Sequence, residues 1–134
     1  MRLLLDSHVF VWANALPRNL RAQAAAALID PNNDLFVSLA SAWELWIKHA
    51  KKPIKEFAAV LDRGADAFRE AAAQSRITIL DINIGHVATV RTLPHHHGDP
   101  FDRLFVAQAM HEGLTLVTHD DVFDRYHGLS VLKA

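Results

Sequence analysis

The chain has no cysteine. Disulfides, thiolate zinc sites and cysteine nucleophiles are thereby excluded. It also lacks any apolar run approaching the roughly 20 residues that a membrane-crossing helix needs. The opening segment MRLLLD reaches a carboxylate too soon to resemble a secretory signal. A cytoplasmic protein without membrane association is the expectation. Basic excess is missing too: 14 Lys and Arg stand against 15 Asp and Glu, a formal net charge of −1. Contact with nucleic acid would have to come from local features rather than from a general positive field. One such feature is the cluster Lys48, Lys51, Lys52 and Lys55, which would serve equally as a solvated helix C-terminus.

What is present fits one globular domain over residues 1–134, with 51% hydrophobic and 22% charged residues. Leu3-Leu4-Leu5 is a short apolar run without helical period that ends at Asp6, as in a buried strand. Further strands are expected at residues 35–37, 77–80, 114–117 and 129–132. Between them lie helical patterns at 8–14, 18–29, 39–50, 83–93 and 100–112. Pro53 suits the first position of another helix, continued by Ile54, Phe57, Leu61 and Phe68 and bent near Gly64. Leu39, Trp43, Trp46, Ile47 and Ala50 form an apolar stripe, so Trp43 and Trp46 are expected in the core or at a subunit contact. Trp12 is ambiguous between packing and base stacking. Strands alternating with helices predict an α/β fold, with a parallel sheet covered on both faces and ligands bound beyond the strand C-termini.

Four acids fall at that rim. Asp6 follows strand one, Glu44 lies early in the helix after strand two, Asp102 lies in the first turn of its helix, and Asp120 lies three residues beyond Val117. Each has a structural reading. Asp6 or Ser7 can cap the next helix. Ser41-Ala42-Trp43-Glu44 fits a capping box. Asp99-Pro100-Phe101-Asp102 reads as N-cap, N1, N2 and N3, and Asp120 can cap a short helix at 121–126. Taken together they pose an electrostatic problem, because two like charges about 4 Å apart cost about 4 kcal/mol at an effective dielectric of 20. Protonation or a bound cation relieves it. An all-oxygen set suits Mg²⁺ or Mn²⁺, which can polarise a phosphodiester and activate water. Ser7, Ser41 and Thr118 are candidates to fix the acid rotamers, while Arg103 suits either a substrate phosphate or a structural salt bridge. His95-His96-His97 is unsuited to zinc and is expected to be exposed or to touch RNA or a partner beside the acids.

The segments Leu4-Leu5-Asp6-Ser7-His8, Ser38–Glu44, Gly98–Arg103 and Val117-Thr118-His119-Asp120 resemble, in order and spacing, the acidic signatures of PIN domains, most closely the VapC-like toxin branch. The resemblance spans essentially the whole chain. It implies a PIN-like three-layer α/β/α fold with a central parallel sheet of four to five strands. It implies a Mg²⁺- or Mn²⁺-dependent endoribonuclease, the toxin of a type II toxin–antitoxin pair. Asp6 and Asp102 carry over as direct metal ligands. Glu44 and Asp120 complete the cluster, directly or through water, and Asp99 is a further candidate. Asp120 is preferred to Asp121 because it keeps the Thr-x-Asp spacing. RNA as substrate, a cognate antitoxin, a homodimer and a toxin–antitoxin hetero-oligomer are implied as partners. The alternative is a catalytically silent PIN-like scaffold that binds RNA or protein. Haloacid-dehalogenase-like phosphatases are disfavoured because His8 stands where a second Asp is needed. A receiver domain is disfavoured because Lys133, within the last strand, fits poorly even if Asp81 imitates the phosphoacceptor.

Overall fold

A computed structural model describes residues 1–134. Five short strands, β1 (Arg2–Leu5), β2 (Asp34–Ser38), β3 (Ile77–Leu80), β4 (Thr115–Thr118) and β5 (Val131–Lys133), form one sheet in the order β3-β2-β1-β4-β5. Every pairing is parallel, with Leu4 opposite both Phe36 and Leu116. The period of two along β1 sends Leu3 and Leu5 into one core and Leu4 into another. The first core packs under α1 (Ser7–Ala15), α2 (Ala22–Ile29), part of α3 (Leu39–Lys51), α4 (Ala58–Leu61) and α5 (Ala65–Gln74). The second lies under α6 (Ile84–Val90) and α7 (Pro100–Glu112), with Phe105, Val106 and Phe123 fully buried. The layers are thus α/β/α, as expected. No helix is long and apolar enough to cross a membrane.

The connectivity positions the site. From β1 the chain moves outward through β2 to β3, then returns to the other side of β1 as β4. The order therefore reverses between β1 and β4, the point where open α/β sheets leave a crevice beyond their strand C-termini. Asp6 ends β1 there, and Thr118 ends β4.

Several local expectations are corrected. Residues 18–29 divide into a 3-10 turn at Pro17–Asn19 and α2. Pro53 opens no helix, and Gly64 separates α4 from α5 rather than bending one helix. Gly64 has φ +84°, a left-handed value that interrupts the ladder and that glycine tolerates best. The stripe through Leu39 and Trp43 faces outward, with Leu39 45% and Trp43 64% exposed. α3 instead buries Ala40, Ser41, Ala42, Glu44 and Leu45. Trp46 does pack inward, donating its indole N–H to the Leu61 carbonyl at 2.9 Å and lying 5.5 Å from Phe68.

Candidate active site

Three of the acids are held by the helix ends they cap. Asp6 accepts from the Val9 N–H at 2.9 Å, Asp99 from Phe101 at 2.7 Å, and Asp120 from Val122 at 2.9 Å. Asp102 stands at N3 of α7, on the same helix end as Asp99. Capping leaves these carboxylates at fixed positions, so the structural role also orders the site.

Glu44 reaches the rim differently. The expected capping box does not form, because Ser38 is the N-cap and accepts from the Ala40 N–H at 3.1 Å. Ser41 therefore lies inside the helix, and Glu44 lies one turn deeper than a box requires. The Glu44 carboxylate is buried, accepts from the Ser7 hydroxyl and pairs with Lys48 at 3.2 Å. Ser7 also bonds to Ser41 at 3.0 Å, which ties α1 to α3 beneath the site.

All the candidate acids border one cavity of about 470 Å³. Within it, donor oxygens of Glu44, Asp99 and Asp102 lie within 4.8 Å of one another, as do donor atoms of His97, Asp102 and Asp120. Asp102 belongs to both groups. Asp6 belongs to neither but borders the same space. A second cavity, about 400 Å³, lies by Leu20, Leu28 and Ile77 and has no comparable cluster of acids.

The electrostatics follow the crowding. Burial, then the charges of Asp99, Glu44, Asp6 and Asp120, push Asp102 up to about 7. Burial also raises Asp6, against the Thr118 hydroxyl, the Val9 N–H and the histidines His8 and His119. Asp120 goes the other way: its slight desolvation is outweighed by the Val122 N–H, His97 and His119. Thr118 receives the Asp120 N–H at 3.1 Å, so it touches the acids on both sides. Asp121 also borders the cavity, but its carboxylate pairs with Lys133 at 2.9 Å.

One functional candidate was hidden in the histidine triplet. His97 is buried, 2.9 Å from the Tyr126 hydroxyl, 3.2 Å from Asp120 and 3.9 Å from Asp102. His95 is exposed, as the sequence reading allowed, and His96 packs edge-on against Tyr126. Three identical neighbours carry no period to say which turns inward. Arg103 proves structural in a way not foreseen. Its guanidinium donates to the carbonyls of Pro94, Val90 and Leu93 at 2.9 to 3.4 Å, pinning the loop that carries the histidines. It pairs with no carboxylate and is buried.

The PIN-domain family model matches residues 3–129. Ribonuclease VapC22 of Mycobacterium tuberculosis is 34% identical over 120 residues, covering 88% of this chain and 86% of the relative. Among solved structures, VapBC2 from Rickettsia felis bound to a promoter DNA fragment aligns with a TM-score of 0.73 at 20% identity, over 100% of this chain and 99% of that one. VapBC from Salmonella typhimurium aligns at 0.68 and 15% identity, over 99% and 98%. These structures share the fold, and the matched family model spans the acidic positions from Asp6 to Asp120. The chain belongs to the PIN-domain family.

Proposed function

We propose that this chain is a divalent-metal-dependent endoribonuclease and the toxin of a type II toxin–antitoxin pair. The observation that carries the reading is Asp102, wedged among Asp6, Glu44, Asp99 and Asp120 and held up at about 7. A set of converging carboxylates with one raised so far is a site whose charge calls for a cation. The donors fit Mg²⁺ or Mn²⁺, since carboxylate oxygens make up the Glu44, Asp99 and Asp102 group and outnumber the one imidazole in the His97, Asp102 and Asp120 group. Its kinship with a protein named as a ribonuclease, and its fold likeness to VapBC complexes, support the same reading.

Asp6 and Asp102 would hold the ion directly, with Glu44, Asp120 and Asp99 completing the set. Once bound, the ion would polarise the phosphodiester and ease deprotonation of the attacking water. The chain's own residues do the positioning. Ser7 fixes the Glu44 rotamer, backbone N–H groups fix Asp6, Asp99 and Asp120, and His97 braces Asp120. Lys48, half-exposed beside Glu44, supplies a cation at the cavity mouth for a phosphate.

The partners follow from surface chemistry. RNA would enter at the acids. A cognate antitoxin would place a basic side chain there and neutralise them by charge pairing. The exposed Leu39 and Trp43, with Trp43 edge-on to Phe101 at 5.3 Å, offer apolar surface for a homodimer or a toxin–antitoxin hetero-oligomer. A cytoplasmic location belongs to the same proposal. The test is cleavage of labelled RNA by antitoxin-free protein in Mg²⁺, Mn²⁺ or EDTA, beside Asp6→Asn. Asn keeps the cap on α1, so the variant is expected to fold and to lose at least 100-fold in rate (a roughly 3 kcal/mol loss). Folded wild-type protein that binds RNA but cuts none in either metal would move the silent scaffold ahead.

A further inference from the structure

Trp12 packs against neither core. Its ring is half-buried on α1, and no protein group accepts from its indole N–H. It lies 4.9 Å from the ring of His119 and 6.3 Å from that of His8. The two histidines, both exposed, meet edge to face at 5.5 Å. His8 and Trp12 share a face of α1 by their i, i+4 spacing, and His119 comes from the segment after β4. An indole retained for stability usually fills a core and pairs its N–H. This one does neither.

The ring cluster adjoins the acids. His8 and His119 border the acidic cavity, and both act on the charge of Asp6. Beyond His8 opens a further cavity of about 300 Å³, bordered by Trp12, Lys48, Lys52 and Pro53. The two cavities share Ser7, His8 and Lys48. A continuous path therefore runs from the carboxylates past an ammonium to three aromatic rings. Unpaired RNA needs that combination, because its bases stack on aromatic faces while cations meet its phosphates.

We infer that His8, Trp12 and His119 form a stacking subsite for an unpaired nucleobase flanking the phosphate at the acids, with Lys48 and Lys52 on the adjoining backbone. The inference rests on the ribonuclease reading and adds a binding preference to it. Single-stranded RNA engages this subsite and a continuous duplex does not, since paired, stacked bases offer no free face. Trp12 is a positioning residue in this role and touches no reacting atom.

The test is anisotropy of a short labelled single-stranded RNA with the wild type, Trp12→Leu and Trp12→Phe, alongside cleavage kinetics in Mn²⁺. Abasic nucleotides are scanned through the RNA. Trp12→Leu is expected to raise Kd and KM by about 5- to 100-fold, the range for one stacked base, with Mn²⁺ affinity and melting temperature unchanged. Trp12→Phe should restore most of the binding. One abasic position should weaken the wild type by the same factor and leave Trp12→Leu unaffected. If Trp12→Leu does not fold, Trp12→Phe combined with His119→Ala takes its place, with the same loss expected. A folded variant that binds and cleaves like the wild type overturns the subsite alone. Wild-type protein that neither binds nor cleaves any RNA overturns the ribonuclease reading and the subsite with it.

Discussion

Asp102 makes the stability of the metal-free protein depend on pH in an unusual direction. In the folded chain its carboxyl holds a proton to about 7, because of burial and then the charges of Asp99, Glu44, Asp6 and Asp120. In the unfolded chain it titrates near 3.9. Between these values the folded state binds the extra proton, so stability falls as pH rises. The contribution is complete below about pH 4 and is lost as pH passes through about 7. Taken whole, the difference between 3.8 and about 7 is about 4 kcal/mol. The side chain is 25% exposed, and solvent screening reduces this to about 2 kcal/mol. Urea unfolding in EDTA at pH 5, 6, 7 and 8 measures it. The quantity read is the wild type minus Asp102→Asn, which removes every contribution the two proteins share. That difference should fall by about 1 kcal/mol from pH 5 to 8, the remainder of the effect lying between about pH 4 and 5. Adding Mn²⁺ should reverse the loss at pH 8 in the wild type and do much less in the variant. Below pH 7 the proton competes for the same oxygen, and Mn²⁺ affinity should drop about tenfold per unit. A difference that stays flat or rises with pH would refute the claim that these carboxylates crowd one another.

Removing the guanidinium in Arg103→Ala releases the carbonyls of Pro94, Val90 and Leu93 and should cost about 2–4 kcal/mol in urea unfolding. The salt dependence of RNA binding should not change, because the buried guanidinium is already engaged by these three carbonyls. Gly64→Ala places a Cβ at φ +84° and ψ −152° with open space around it, so the loss of about 1–3 kcal/mol comes from the backbone alone and should appear as several degrees of melting temperature. In His97→Ala, Asp120 loses a partner that lowers its pKa, and its NMR titration midpoint should move up. An unmoved midpoint would mean that the 3.2 Å contact does not form in solution.

The frame was legible because it rests on strong signals. Leu3 to Leu5, Ile77 to Leu80 and Leu116-Val117 are short apolar runs between polar breaks, and such runs with intervening helices lead to a parallel sheet. Strand order could not be read, since β3 and β5 at the edges look much like β1 at the centre. Helix limits failed where one residue's backbone decides. Ser38 caps α3 because β2 runs up to it, and that depends on pairing with β3 at Leu80. The core alternative for Trp43 failed for a related reason. Its stripe has the right period, but the sheet takes the neighbouring face of α3, where Ala40, Ser41 and Ala42 permit close approach. Hydrophobicity at helical spacing shows that a face exists without showing which partner takes it.

The acids teach something different. In the sequence, helix capping and metal binding compete as explanations for Asp6, Asp99 and Asp120, because each residue type and position suits both. In the structure the capping bonds already place these three carboxylates on the cavity that the proposed ion would occupy. An N-cap side chain sits where backbone N–H groups point outward and the helix dipole favours negative charge. Three helix starts at the switch point of the sheet therefore bring three carboxylates to one rim at little conformational cost. Caps alone do not require the starts to converge, and they give no reason to bury Glu44 on Ser7 or to raise Asp102 to about 7. The raised Asp102 costs the metal-free protein stability once pH passes about 7. Such crowding is what the proposed cation site calls for and what a rim of well-capped helices does not need.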